Sequence, residues 1–418
     1  AMREDARDAA LRVNEERLWR RHADMAKIGA IPGNGVNRAA LSKEDIAARK
    51  LLLSWAVQRK FTVGIDAIGN LFVRRAGSEA NAAPVMTGSH MDSQPRGGRF
   101  DGIYGVLAGL EALEAMNEAG VTTRRPIEVV AWTNEEGGRF APCTMGSMVF
   151  TGARPLADVL DVTDNEGIKL RDALAETLAA TPLATKREFN SPVAGYIEAH
   201  IEQGPLLENA GKTVGVVTGI QGLRWFNIEV SGKTDHAGTT PLALRKDAMR
   251  DAVAIINALT ELTDDPADVT RFTVGRMLVT PNSPNSVASH VLFSVDVRHP
   301  DPQTIKRLGE AVEPLARKAA KHCDVKVTPT LHDDPCVFDA DVTNAVEAAA
   351  KGLELTHVRL SSGASHDAMY MARVCPTGMI FVPCEKGVSH NEAENATPAD
   401  LAAGARVLTA ALVELANR

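Results

Sequence analysis

Between residues 61 and 132, short apolar strand-like runs alternate with a long apolar helical pattern, and this alternation restricts the fold more than any other feature of the chain. Strand candidates lie at about 61–65 and 70–74, with "DAIGN" (66–70) as the turn between them. Two more follow at "APVMTGSH" (83–90) and "IEVVAW" (127–132), separated by the helical segment "DGIYGVLAGLEALEAM" (101–116). Strands alternating with helices predict an α/β sheet. Ligand sites in such sheets form at the carboxyl ends of the strands. At that end the run 127–132 stops on "TNEEGG", turn chemistry carrying two adjacent carboxylates. By itself this turn reads equally well as a solvated acidic loop.

The rest of the chain sets the frame. At 418 residues it is too long for one ordinary core, so two domains are expected. Helical periodicity covers roughly 6–30 and 43–59, and "SKED" (42–45) offers an N-cap for the second helix. From about 213 the pattern changes: "TVGVVTGIQGLRWFNIEVSGK" is strand-rich, 244–262 is helical, "RFTVGRMLV" and "VLFSVDVRH" are two more strands, and 303–321 is a helix. That order predicts a small α+β sandwich. After about 328 come further helix, the strand "GMIFVP" (378–383) and a final helix over 398–417. The layout is an α/β domain, 1–212 and 328–418, with a lid domain, 213–327, inserted into it.

Composition excludes several classes. Net charge is -7, and no basic stretch stands out, so neither a nucleic acid nor a membrane surface is expected as partner. The five cysteines are scattered without a CxxC pair, which fits neither a disulfide framework nor a structural zinc knuckle. The N-terminal stretch has no signal-peptide apolar region and no run is long enough to span a bilayer, so a cytoplasmic location is expected.

Five stretches put imidazoles or carboxylates after apolar strands or beside glycines: "GSHMDS" (88–93), "GGRFDGIYG" (97–105), "TNEEGG" (133–138), "YIEAHIEQGP" (196–205) and "GVSHNEAE" (387–394). A lone histidine in any of them is more often structural than a ligand. Together they supply what hydrolysis at two metal ions needs: a bridging carboxylate, nitrogen and oxygen ligands, and a base for the attacking water. Adjacent glutamates suit two of these tasks, because neighbouring side chains point different ways.

In this order the five stretches resemble the M20-type metal amidohydrolases, and most of all the branch of N-carbamoyl-L-amino acid hydrolases, β-ureidopropionases and allantoate amidohydrolases. The likeness extends from about 27 to 415 and is carried by "GGRFDGIYGVLAGLEAL", "WTNEEGGRFAP", "HIEQGPLLE", "DHAGTTP", "PNSPN" and "VDVRHPD". It implies a di-metal aminopeptidase-like catalytic domain with an inserted lid that dimerises. It makes His90 and His200 ligands of one metal, Glu136 and His390 ligands of the other, and Asp101 the bridge. Glu135 becomes the general base, and Asp92 the carboxylate that orients the His90 imidazole. A histidine at position 200, where the peptidase branches carry an acid, implies the carbamoyl and ureido branch. Two divalent ions are implied, for which zinc, manganese, cobalt and nickel all suit the donor set.

The same resemblance assigns the substrate carboxylate to Arg298, polar substrate contacts to Gln203 and Asn285, and oxyanion stabilisation across a dimer to His236. "SSGASHDAMY" (361–370) resembles the family's glycine-rich substrate loop, with Gly363 and His366 retained. Ser365 stands where many relatives have glycine. A left-handed backbone there would cost about 1 kcal/mol or somewhat more with serine. Otherwise the hydroxyl narrows the pocket or adds a hydrogen-bonding group. The histidines outside these motifs (His22, His290, His299, His322, His332 and His357) and Cys384 read as structural.

The activity implied is cleavage of the carbamoyl C–N bond of an N-carbamoyl-L-amino acid to amino acid, ammonia and carbon dioxide. Allantoate or N-carbamoyl-β-alanine is the alternative substrate, on the same metals. A metal-free scaffold protein would have lost a ligand or the base, and every such position is filled.

Overall fold

The computed structural model describes residues 2–182 and 184–418. The chain divides into two compact units, one formed by 1–219 with 337–418 and the other by 220–336.

The larger unit is built on a ten-stranded mixed sheet. Its centre is the parallel set Thr377–Val382, Gly195–Ile201, Val85–His90 and Ile127–Trp132, in that order. Leu71–Arg75 and then Thr62–Ile65 continue it antiparallel on one side, and Val214–Ile220 lies antiparallel to Thr377–Val382 on the other. All four central strands are buried along their whole length. That explains their continuous rather than alternating apolar pattern. The helix Ile103–Glu118 is likewise buried from Ile103 to Met116, and it shares one core with the helix Pro398–Ala416.

Register explains why chemistry gathers at one edge. His90 pairs with Trp132, so Glu135 and Glu136 leave their strand beside it. His200 pairs with Phe381 near the same end of the next two strands. A one-residue slip of any of them would turn its side chains to the opposite face.

Local sequence reading and structure differ in three places. The single helix expected over 6–30 is two, Glu4–Leu11 and Glu15–Ala26, because the Asn14 side chain accepts from Arg17 N at 2.9 Å and starts a new helix. Ser42 does cap the helix Lys43–Gln58. "RFTVGRMLV" forms two short strands, Arg271–Thr273 and Met277–Thr280, both paired with His290–His299. Between Thr273 and Met277 one strand advances four residues while its neighbour advances three, so the extra residue forms a bulge around Gly275.

Third, the smaller unit runs 220–336 rather than 213–327. Val214–Ile220 belongs to the large sheet, and Asp324–Asp333 pairs with Gly222–Ser231 along nearly its whole length. The smaller unit is an antiparallel five-stranded sheet carrying the helices Ala248–Leu262 and Pro302–Ala319. Ile255, Leu259, Ile305, Leu308 and Val312 close its core against Ile228, Val230, Val291, Phe293 and Val295.

Candidate metal-binding active site

The strand Val85–His90 delivers His90 into a fully buried position. Its Nδ1 lies 2.8 Å from the backbone carbonyl of Asp92, which fixes the tautomer with the proton on Nδ1 and frees Nε2 as a lone pair. That Nε2 is buried and has no hydrogen-bond partner among the described residues. It faces Asp101 Oδ1 at 3.4 Å and Glu135 Oε2 at 3.2 Å. The ring rests against Gly102, whose φ is +76° and where a Cβ would stand 2.2 Å from His90 Cε1. Only glycine fits there.

Asp92 does not orient His90 in the manner anticipated from sequence. The group that accepts from the imidazole is its carbonyl; its carboxylate stands 3.6 Å from Nδ1. The carboxylate instead accepts the backbone N–H groups of Glu135 at 3.2 Å and Glu136 at 3.0 Å. Asp92 therefore ties the His90 strand to the turn bearing the paired glutamates. Burial, reinforced by the charge of Glu136, pushes its carboxyl up to about 7.

Asp101 stands at the centre. One carboxylate oxygen faces His200 Nε2 at 3.2 Å and His90 Nε2 at 3.4 Å; the other faces His390 Nε2 at 3.0 Å. Gln203 Nε2 approaches that second oxygen at 3.3 Å. His200, like His90, directs Nδ1 at a backbone carbonyl, that of Ile201 at 2.8 Å. Glu136 Oε2 lies 3.3 Å from His390 Nε2 and accepts from Gln94 Nε2 at 2.8 Å.

Three candidate donor groups result among the described residues: His90 with Asp101 and His200, Asp101 with Glu136 and His390, and His90 with the paired Glu135 and Glu136. In each, the ligating atoms lie within 4.8 Å of one another. The orphaned Nε2 of His90 and the acceptor-rich donor set fit divalent cations. So does the electrostatics. Asp92, Asp101, Glu135, Glu198 and Asp367 are all buried here. A carboxylate buried this deeply is costly unless a cation or hydrogen bonds offset it. Burial, with the charges of Glu136, Asp367 and Asp101, holds the Glu135 carboxyl well above the usual carboxylate range. Hydrogen bonds to Asp101 and Glu136 raise the His390 imidazole to about 10.

Sequence reasoning missed the layer beneath these groups. Glu198, two residues before His200 on one strand face, accepts from Ser89 Oγ at 2.7 Å, Tyr196 OH at 2.9 Å and Ala368 N at 3.1 Å. Asp367 accepts from Ser147 Oγ at 2.6 Å. The fully buried Arg38 donates to the carbonyls of Met91 at 3.1 Å and Met25 at 3.2 Å, bracing the loop between His90 and Asp92. Glu198, Asp367 and Glu394 sit inside the quoted motifs, whereas Arg38 carries no signal in its sequence neighbourhood.

His366 is buried, with its ring 4.5 Å from that of His200 and Nε2 3.0 Å from Ser362 Oγ. It packs behind His200. Gly363 and Ser365 of the same loop are exposed, and Ser365 keeps a negative φ, so the left-handed strain considered for serine does not arise. The remaining residues of interest belong to the smaller unit. There His236 Nδ1 accepts the N–H groups of Gly238 at 2.9 Å and Thr239 at 3.2 Å, leaving Nε2–H as a donor. Ala237 N donates to the Asn285 carbonyl at 3.1 Å. Arg298 forms a two-point pair with Asp296, Nε to Oδ1 and Nη2 to Oδ2 both at 3.0 Å.

The sequence profile described as Peptidase family M20/M25/M40 matches residues 86–414. An N-carbamoyl-L-amino-acid amidohydrolase of Rhizobium meliloti is 39% identical over 97% of this chain and 97% of its own length. A ureidoglycolate hydrolase of Oryza sativa subsp. japonica is 34% identical over 96% of this chain and 85% of its own. The crystal structure of an amidase of the hydantoinase/carbamoylase family from Burkholderia multivorans superposes with a TM-score of 0.92 at 45% identity, covering 97% of this chain and 98% of that one.

Proposed function

Taking as premise that the chain belongs to the Peptidase M20/M25/M40 family, we propose that it hydrolyses the carbamoyl C–N bond of N-carbamoyl-L-amino acids, releasing the amino acid, ammonia and carbon dioxide. One observation carries the reading: Asp101 presents one oxygen to His90 and His200 and the other to His390. That arrangement suits a carboxylate shared by two cations. The full-length identity to N-carbamoyl-L-amino-acid amidohydrolases supports the substrate class.

In this reading His90, His200 and Asp101 hold one divalent cation, and Asp101, Glu136 and His390 the other. Zinc, manganese, cobalt or nickel suits such nitrogen and oxygen donors. When bound, such cations would supply Lewis acidity and lower the pKa of a water. Glu135 then accepts the water's proton and returns it to the departing nitrogen, a general-base and general-acid role that its place beside His90 and Glu136 permits. Asp92 keeps the Glu135 and Glu136 backbone in place. Arg298 grips the substrate carboxylate through its planar fork. Gln203, Asn285 and the 363–366 loop complete substrate contact. The inserted unit acts as a lid and dimerisation domain, so that Nε2–H of the partner subunit's His236 stabilises the oxyanion. The enzyme works as a cytoplasmic homodimer.

A second reading, hydrolysis of another ureido acid on the same metals, is favoured by the identity to ureidoglycolate hydrolases. Ammonia release by the manganese-loaded protein separates the two, with N-carbamoyl-L-methionine, allantoate, ureidoglycolate and N-carbamoyl-β-alanine compared side by side. Preference for the first supports the proposal. Turnover of another alone replaces it with the second reading, and silence on all of them overturns both.

A further inference from the structure

Glu394 is 3% exposed and follows His390 by four residues. Its Oε1 accepts the backbone N–H groups of Phe100 and Asp101, each at 3.0 Å. Its Oε2 accepts the Ser389 hydroxyl at 2.9 Å, and Ser389 Oγ in turn accepts Gln203 Nε2 at 3.0 Å. Gly98 makes room for it: a Cβ at that position would stand 2.1 Å from Oε1. One carboxylate thus touches the segment that carries Asp101 and the residue next to His390.

The His390 loop needs such a hold. His390 has φ +52°, a left-handed conformation that a residue with a side chain keeps only when its surroundings impose it. Its side chain is 49% exposed, so packing constrains it weakly, yet Nε2 lies 3.0 Å from Asp101 Oδ2. Asp101 and His390 face one another from segments nearly three hundred residues apart in the chain. Nothing local fixes their separation.

We infer that Glu394 is a positioning residue that locks the Asp101 segment to the His390 loop and so sets the donor spacing of the Asp101–Glu136–His390 group. The inference rests on the two-cation reading proposed above. His90 and His200 stand on buried strands and do not depend on the lock. Asp101 is shared by both groups, so loss of the lock weakens the cation held with His390 more than the cation held by His90 and His200.

The test is titration of metal-free protein with Co(II), followed by calorimetry and visible absorption, on wild type, Glu394→Ala, Glu394→Gln and Ser389→Ala. Wild type binds two equivalents. Glu394→Ala binds the second equivalent roughly 10- to 100-fold more weakly, the usual effect of removing a group that orients ligands, and the first with a clearly smaller loss. Glu394→Gln, whose amide oxygen still accepts both N–H groups and whose NH₂ can reach Ser389 Oγ, stays close to wild type. Ser389→Ala weakens the second equivalent alone. Wild-type titration of Glu394→Ala overturns the inference, as does equal weakening of both equivalents. If Glu394→Ala does not fold, an unchanged second equivalent in Ser389→Ala overturns it. A wild type that binds fewer than two equivalents brings down the two-cation reading itself.

Discussion

The backbone carbonyl of Asp92 accepts a hydrogen bond from His90 Nδ1 at 2.8 Å, while the Asp92 carboxylate stands 3.6 Å from the same nitrogen and accepts from the backbone of Glu135 and Glu136. A main-chain acceptor survives substitution of its own side chain. Asp92→Asn should therefore leave cation binding at His90 intact and disturb the glutamate turn, with kcat falling about 10- to 100-fold. Steady-state kinetics beside metal analysis decides the point. Lost metal with normal turnover of the loaded fraction would return the orienting role to the carboxylate.

Glu135 Oε2 lies 3.2 Å from His90 Nε2, and a Glu135 oxygen lies within 4.8 Å of a Glu136 oxygen. Glu135→Gln keeps the shape and removes the proton acceptor. The expected variant carries its full metal content and loses turnover by roughly a hundred- to ten-thousandfold. Unchanged turnover would remove Glu135 from the base role.

Arg298 is held by Asp296 in a planar two-point pair, with side chains 31% and 25% exposed. In the proposed function a substrate carboxylate would meet a guanidinium whose plane is already set. Arg298→Ala should raise KM by roughly 10- to 100-fold, equivalent to the 1.5–3 kcal/mol of a hydrogen bond to a charged group. The effect should vanish for a substrate amide. Equal loss on acid and amide would mean that Arg298 serves the fold of its sheet.

His22 gives the protein an acid-sensitive point outside the site. Its ring packs on Phe100 at 5.1 Å, neither nitrogen has a hydrogen-bond partner among the described residues, and burial holds its imidazole down to about 3. An unfolded histidine titrates near 6.5. The folded value is depressed, so the stabilisation is complete above pH 6.5 and is lost as pH falls from there toward 3. By pH 5 the loss is about 2 kcal/mol. His22→Phe keeps a ring in place and should flatten this limb relative to wild type in thermal melts of the metal-free protein. Parallel curves for the two would show that His22 is not the titrating group.

Gly102→Ala places a methyl group 2.2 Å from His90 Cε1 on a backbone with φ +76°. The backbone alone costs about 1–2 kcal/mol, and the His90 ring must move as well. Both Tm and the affinity for the cation at His90 should fall. A normal cobalt spectrum would show that the ring can be displaced without cost.

Much of this molecule was legible as sequence because its determinants are local. The apolar runs 127–132 and 378–383 lie close to the observed strands Ile127–Trp132 and Thr377–Val382, since continuous burial of a parallel strand writes itself into successive residues. Ser42 caps its helix by a bond to a residue three positions on. The five motifs carrying His90, Asp101, Glu135, Glu136, His200 and His390 stand out because each pairs its candidate ligand or base with nearby glycine or turn residues.

What only tertiary structure decided depends on contacts across long stretches of chain. That Asp92 serves the glutamates through its carboxylate and His90 through its carbonyl follows from how two strand ends meet. The end of the inserted unit near 336 rather than 327 comes from the pairing of Asp324–Asp333 with Gly222–Ser231, about a hundred residues away. Glu394 lies inside a quoted motif, but its bonds to the backbone of Phe100 and Asp101 exist only in the fold; Arg38 shows no periodicity, because it acts through hydrogen bonds to main-chain groups that any sequence would supply. A residue that reads only the backbone of a distant segment leaves no pattern in its own neighbourhood, and its task exists only once the chain has folded.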